Sequence, residues 1–130
     1  MDLSTFTPAT WIGVALVLVV GLGIIAIGVW YLVAPTTASA GFGFTSRITP
    51  EVTPWQHIKG PRDIASGLVL LAMLVGFGPA AAAVILILES IIPIGDMATI
   101  LRHRGNRSAA FGIHGATAAG MLVAAVLLLV

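Results

Sequence analysis

The chain alternates long apolar stretches with short polar breaks. The first stretch, Trp11 to Val33, holds no charged side chain. About 20 apolar residues in a helix cross the ~30 Å hydrocarbon core of a bilayer. Trp11 stands at one end of the stretch, and Trp30 and Tyr31 at the other. At ~1.5 Å per residue Trp11 and Trp30 lie about 28 Å apart, the separation of two interfacial aromatic belts. A second stretch opens at Pro61, whose missing N–H suits a first helical turn, and runs to Gly78. Gly78-Pro79 makes a tight break, and Pro79 opens a third stretch that reaches Leu101. The fourth runs from Ala109 to Val130. So short a link between the second and third makes them an antiparallel hairpin. The pattern predicts an all-α fold: an antiparallel, up-down bundle of four transmembrane helices over 11–33, 61–78, 79–101 and 109–130. Residues 1–130 then form a single integral-membrane domain.

The segment 34–60 is rich in Pro, Thr and Gly and carries Phe42, Phe44 and Trp55. Aromatic rings favour the headgroup region, so it is expected to be an interfacial loop with a short helical turn over Trp55 to Ile58. Ala38-Ser39-Ala40 has the form of a signal-peptide cleavage site. The preceding apolar run is too long for a signal peptide, and no Lys or Arg precedes it, so an uncleaved first helix is expected.

Composition agrees with a lipid-facing surface. Of the residues, 58% are hydrophobic and 8% charged, against roughly 25% charged in soluble domains. Six basic residues are too few for a phosphate-tracking patch, so nucleic acid is not an expected partner. The bilayer is. No cysteine is present, which excludes disulfides, thiolate metal sites and thiol nucleophiles. Arg47, Lys59 and Arg62 precede or open the second helix, and Arg102, Arg104 and Arg107 separate the third from the fourth. Four crossings put all six on one side. The positive-inside rule makes that side cytoplasmic, in the cell membrane, with both termini outside.

Small residues mark packing faces. The fourth helix carries Gly112, Ala116 and Gly120 at four-residue spacing, with Gly115 and Ala119 beside them. The first carries Gly13, Gly21, Gly23 and Gly28 less regularly. Such faces let helix backbones approach closely. Packing within the bundle is the expectation, and a homo-oligomer through these faces is the alternative.

The first helix has no ionisable side chain apart from Tyr31 in its aromatic belt; the other three helices do. Such groups cost free energy at membrane depth and turn toward the bundle interior or a wet cavity. Glu89 lies near mid-bilayer, and Asp96, seven residues on, returns to the same helix sector. Pro93 between them withdraws the hydrogen bond that the Glu89 carbonyl would accept, and Gly95 adds local freedom, so a kink is expected. Asp96 and His114 each sit about 9 Å inside the same boundary. Lys59, Arg62 and Asp63 gather at that face on the second helix, where the long Lys and Arg stems reach inward. The predicted site is one polar cluster of Arg62, Asp63, Asp96 and His114, with Glu89 deeper.

Three readings of the cluster compete. The main one is an ion-pair and hydrogen-bond lock between helices, since membrane charges must pair in any case. The second is a small-ligand or proton-coupled carrier using Glu89, Asp96 and His114. The third is an enzyme acting on a lipophilic substrate, with His114 as acid or base. No nucleophile motif, phosphate loop or cofactor fingerprint is present, and no HxxxH or ExxH spacing supports a metal, so neither cofactor nor metal is expected. His57 and His103 are expected at the interface.

Lys59-Gly60-Pro61-Arg62-Asp63, Pro93-Ile94-Gly95-Asp96 and His114-Gly115-Ala116-Thr117 together resemble a family of small bacterial and fungal four-helix membrane proteins catalogued as a domain of unknown function. The resemblance implies the fold and a membrane location. It implies polar family positions at Gly60, Arg62, Asp63, Asp96 and His114, with Glu89 outside the pattern. In size and helix count the chain is also loosely similar to DoxX-like membrane proteins.

Overall fold

The computed structural model describes residues 3–44 and 49–130. After a single turn at Leu3–Thr5 the order is α1 (Pro8–Val33), α2 (Pro35–Ala40), α3 (Thr53–Phe77), α4 (Pro79–Glu89), α5 (Ile91–Arg102) and α6 (Arg107–Ala109). A π-helical segment (Ala110–Gly115) and α7 (Ala116–Leu129) complete it. Four helical stretches, Pro8–Val33, Thr53–Phe77, Pro79–Arg102 and Arg107–Leu129, are long and apolar enough to cross a membrane. The chain is an integral membrane protein with an all-α four-helix bundle.

Local chemistry sets the boundaries. α1 starts ahead of Trp11 because the Thr7 hydroxyl accepts from the Thr10 N–H (3.1 Å) and Pro8 occupies the first turn. It stops at Ala34, which precedes a proline and leaves the helical region. The second membrane helix begins at Thr53 rather than at Pro61, with Pro54 in its first turn. Pro61 sits inside it, where its missing N–H withdraws a donor from the His57 carbonyl. The expected turn over Trp55–Ile58 is part of this helix, and the expected loop 34–60 also contains α2.

The third crossing is two helices joined at Ser90. The Ser90 hydroxyl donates to the Ile87 carbonyl (2.7 Å), and Pro93 follows in the first turn of α5. The expected break near Pro93 is therefore realised three residues earlier. The fourth crossing begins at Asn106, whose side chain accepts from the N–H groups of Ser108 (2.8 Å) and Ala109 (3.3 Å). Its π segment was not foreseen.

In the bundle α1 packs on α3 and α7, and α4 on α7 and α3. Close to the termini and the Gly78-Pro79 turn the interior is filled. Val17, Leu70, Leu74, Ala82, Ala83, Leu86, Met121, Ala124, Ala125 and Leu128 form one buried cluster. Alanines on α4 and α7 let those two helices close on each other.

The α1–α3 seam is made by four glycines. A Cβ at Gly28 would stand 2.6 Å from the Gly60 carbonyl oxygen, and one at Gly67 would stand 2.5 Å from that of Gly21. Both pairs are seven residues apart on their own helix, a spacing that returns to nearly the same face. The row expected to pack within the bundle does not. Gly112 and Gly120 have open space around their Cα atoms, and Ala116 is exposed. The more regular spacing thus points outward, and the bundle closes on the wider one.

Candidate functional site

At the opposite, loop end the bundle is not filled. Beyond Ser90, α5 leaves α4 and packs on the π segment, and among the described residues it does not approach the backbone of α1 or α3. The tight α1–α3 pair and the α5–π pair therefore part, leaving a cavity of about 210 Å³ between them. Ile24, Ile27, Trp30 and Tyr31 of α1 form one wall, and Ile92 and Pro93 face it from α5. Met121 and Thr117 of α7 meet it below Ile113 and His114 of the π segment.

The segment after α1 covers the loop end. Ala38, Gly41 and Phe42 line the cavity, and the Phe42 ring stacks on His114 with centroids 5.0 Å apart. Phe42 also stacks on Phe44 (5.9 Å), which meets His103 edge-on (6.4 Å). Gly43 turns the chain there at φ 64° against Asn106, a left-handed backbone with no room for a side chain.

Carboxyl and basic groups reach the cavity from four elements. Lys59, Asp63 and Ser66 of α3 lie at i, i+4 and i+7, one helical face. Lys59 pairs with Asp63 on its own helix and sits 4.6 Å from the centre of the Tyr31 ring. The Ser66 hydroxyl donates to Oε1 of Glu89 (2.6 Å), which joins α3 to the end of α4. Oε2 of Glu89 is buried and has no hydrogen-bond partner among the described residues. Asp96 of α5 places Oδ2 3.3 Å from Nδ1 of His114. The wider π turn is what carries His114 to this side, a distortion that recurs at functional sites.

Of the expected cluster, Asp63, Glu89, Asp96 and His114 stand around one cavity. Arg62 does not. It is exposed, on the flank of the face that Lys59, Asp63 and Ser66 share, and Lys59 is the base that lines the cavity. Glu89 and Asp96 keep to one side despite the break between them. Ser66 stands outside the expected cluster, although its spacing from Lys59 and Asp63 carries the signal. Tyr31 and Trp30 read as belt aromatics alone. Phe42 reads as an interfacial aromatic, and nothing in the pattern places it against the cavity, because a loop has no periodicity.

A family model described as a domain of unknown function (DUF4267) matches residues 21–128, a stretch that includes every residue lining the cavity. No curated protein and no solved structure matches the chain. The looser likeness to DoxX-like proteins therefore rests on size and helix count alone.

Proposed function

We propose that this chain, which belongs to the family described as a domain of unknown function (DUF4267), is an intramembrane binding protein of the carrier type for a small, mostly apolar guest. One observation carries the proposal: the polar cluster borders an open space of about 210 Å³ rather than closing on itself. That is several times the ~30 Å³ share of a water molecule, and just below the ~300 Å³ of a small drug site. Its rim is apolar and faces outward. Ile27 is 44% exposed, Ile92 50% and Ile113 53%. In a bilayer these side chains meet lipid, so the guest reaches the cavity sideways, between α1 and the π segment.

The lock reading has weaker support. Lys59 and Asp63 belong to one helix and cannot hold two together. Asp96 and His114 join segments that already pack on each other. Ser66 and Glu89 join α3 to the end of α4, two helices that likewise pack on each other.

The proposed orientation puts the loop end in the cytoplasm and both termini outside the cell membrane. Lys59, Arg62, Arg102, Arg104 and Arg107 all lie toward the loop end, whereas the terminal end has no basic residue. Arg47, the sixth, lies outside the described residues.

The lack of native cysteine makes the test direct. A single Thr117→Cys in the cavity wall should react with a small methanethiosulfonate at least about tenfold faster than Ala83→Cys in the filled half, since thiol reactivity follows exposure. In intact cells Arg104→Cys should resist a membrane-impermeant maleimide, and Phe77→Cys should take it up. Equal protection of Thr117→Cys and Ala83→Cys would remove the open cavity. Labelling of Arg104→Cys from outside would reverse the orientation.

A further inference from the structure

Resting on the binding role proposed above, we infer that the guest is a cation: a small lipophilic amine whose ammonium group pairs with Glu89. Titratable groups face the cavity from five of the elements around it. α1 contributes Tyr31, α3 contributes Lys59 and Asp63, α4 contributes Glu89, α5 contributes Asp96 and the π segment contributes His114. Three carboxyl groups thus stand against one lysine and one histidine.

Pairing them leaves a remainder. Lys59 is engaged with Asp63, and His114 with Asp96. Among the described residues Glu89 has only the neutral Ser66 hydroxyl, on one oxygen, and its other oxygen is buried with no donor. A buried carboxylate oxygen without a donor is costly, and at membrane depth an ionised group needs an opposite charge. Arg62 does not serve, since it is exposed and does not line the cavity.

A neutral hydroxyl on the guest would satisfy the oxygen but leave the charge. An ammonium group satisfies both. Ile24, Ile92 and Met121 also line the cavity and leave an apolar space for the body of such a molecule. A metal ion is the poorer fit: among the described residues no three His, Asp or Glu side chains are placed to hold one. Trp30 in the wall adds an aromatic side chain of the kind that favours a cation further.

Trp30 supplies the readout. With Trp11→Phe and Trp55→Phe in place it is the single tryptophan, and it lines the cavity. The full chain in lipid nanodiscs is titrated at neutral pH with cyclohexylmethylamine, cyclohexylmethanol and cyclohexanecarboxylate, which share one body and differ in charge. A protein that keeps Trp11 in place of Trp30 (Trp30→Phe with Trp55→Phe) corrects for partition into lipid. The amine should bind roughly ten- to hundredfold more tightly than the alcohol, the worth of a hydrogen bond to a charged partner. The carboxylate should not bind. Glu89→Gln should bring the amine down to the alcohol's affinity, and a Trp30 response to the alcohol in that variant shows the cavity intact. If Glu89→Gln does not fold, the amine-to-alcohol ratio in the parent protein decides alone. Equal affinity for amine and alcohol overturns the cation inference while leaving the binding role standing. No response of Trp30 to any of the three overturns both.

Discussion

Gly67→Ala should destabilise the bundle by about 3 kcal/mol, the upper end of the usual cost of overpacking. The added methyl would stand 2.5 Å from the Gly21 carbonyl oxygen and 2.7 Å from the Ile25 side chain. A side chain can rotate away from such a contact, whereas a backbone carbonyl held in a helix cannot. The relief available is to push α1 from α3, which breaks the most extensive contact in the molecule. The same change at Gly23, in α1, meets nothing within 4 Å. It should instead stabilise by about 0.5–1 kcal/mol through the lower entropy cost of alanine in a helix. Unfolding in mixed micelles of increasing denaturing detergent, read by far-ultraviolet circular dichroism, should therefore give opposite signs for one chemical substitution. Equal effects at the two positions would mean that α1 and α3 do not cross at their glycines.

Leu86→Ala is the second large effect. Leu86 is fully buried at the centre of the filled half, against α7 and α3. In water Leu→Ala changes of this kind cost about 2–5 kcal/mol. In lipid the transfer part is small, because the separated helices still lie in hydrocarbon, and the packing part remains. A loss of about 2 kcal/mol is expected. Ile113→Ala removes as large a side chain from the cavity rim, where it is 53% exposed. It should cost no more than about 0.5 kcal/mol, as a surface change does. The same detergent titration ranks the two, and a costlier Ile113→Ala would mean that the loop end is packed after all.

These effects follow from features of unequal visibility in the sequence. The four crossings were legible because bilayer thickness imposes a length on apolar runs, and Trp11 to Val33 meets it without ambiguity. The start of α3 was not. Gln56, His57 and Lys59 end the apolar run, and hydropathy does not register a helix that continues past the hydrocarbon. Pro61 then had the look of a helix start, and Pro54, the proline that fills that role, lay inside what read as a loop.

The glycine faces mislead in a different way. Gly112, Ala116 and Gly120 have the spacing associated with close packing, yet they face outward. The functioning pairs, Gly21 with Gly28 and Gly60 with Gly67, become apparent only when two helices are compared and the same seven-residue interval is found on both. Packing is a relation between elements, and one helix read alone does not contain it.

The candidate site was half visible for the same reason. Asp63, Glu89, Asp96 and His114 stand out because ionisable groups are rare in these helices, and the break near Pro93 was foreseeable from the hydrogen bond it withdraws. The exchange of Arg62 for Lys59 depends on which side of α3 meets the cavity. That side is set by Gly60 and Gly67 packing on α1, a contact three-dimensional in origin. The π segment that turns His114 inward adds one residue to a turn without any mark in an apolar run.

The central claim is that one half of the bundle is solid and the other hollow. Crystals of the protein pressurised with xenon test it most directly, because xenon settles in apolar cavities and not in packed cores. One strong xenon site is expected at the loop end, among Ile24, Ile92 and Met121. An empty loop end, or xenon held instead beside Leu86 and Ala124, would contradict it.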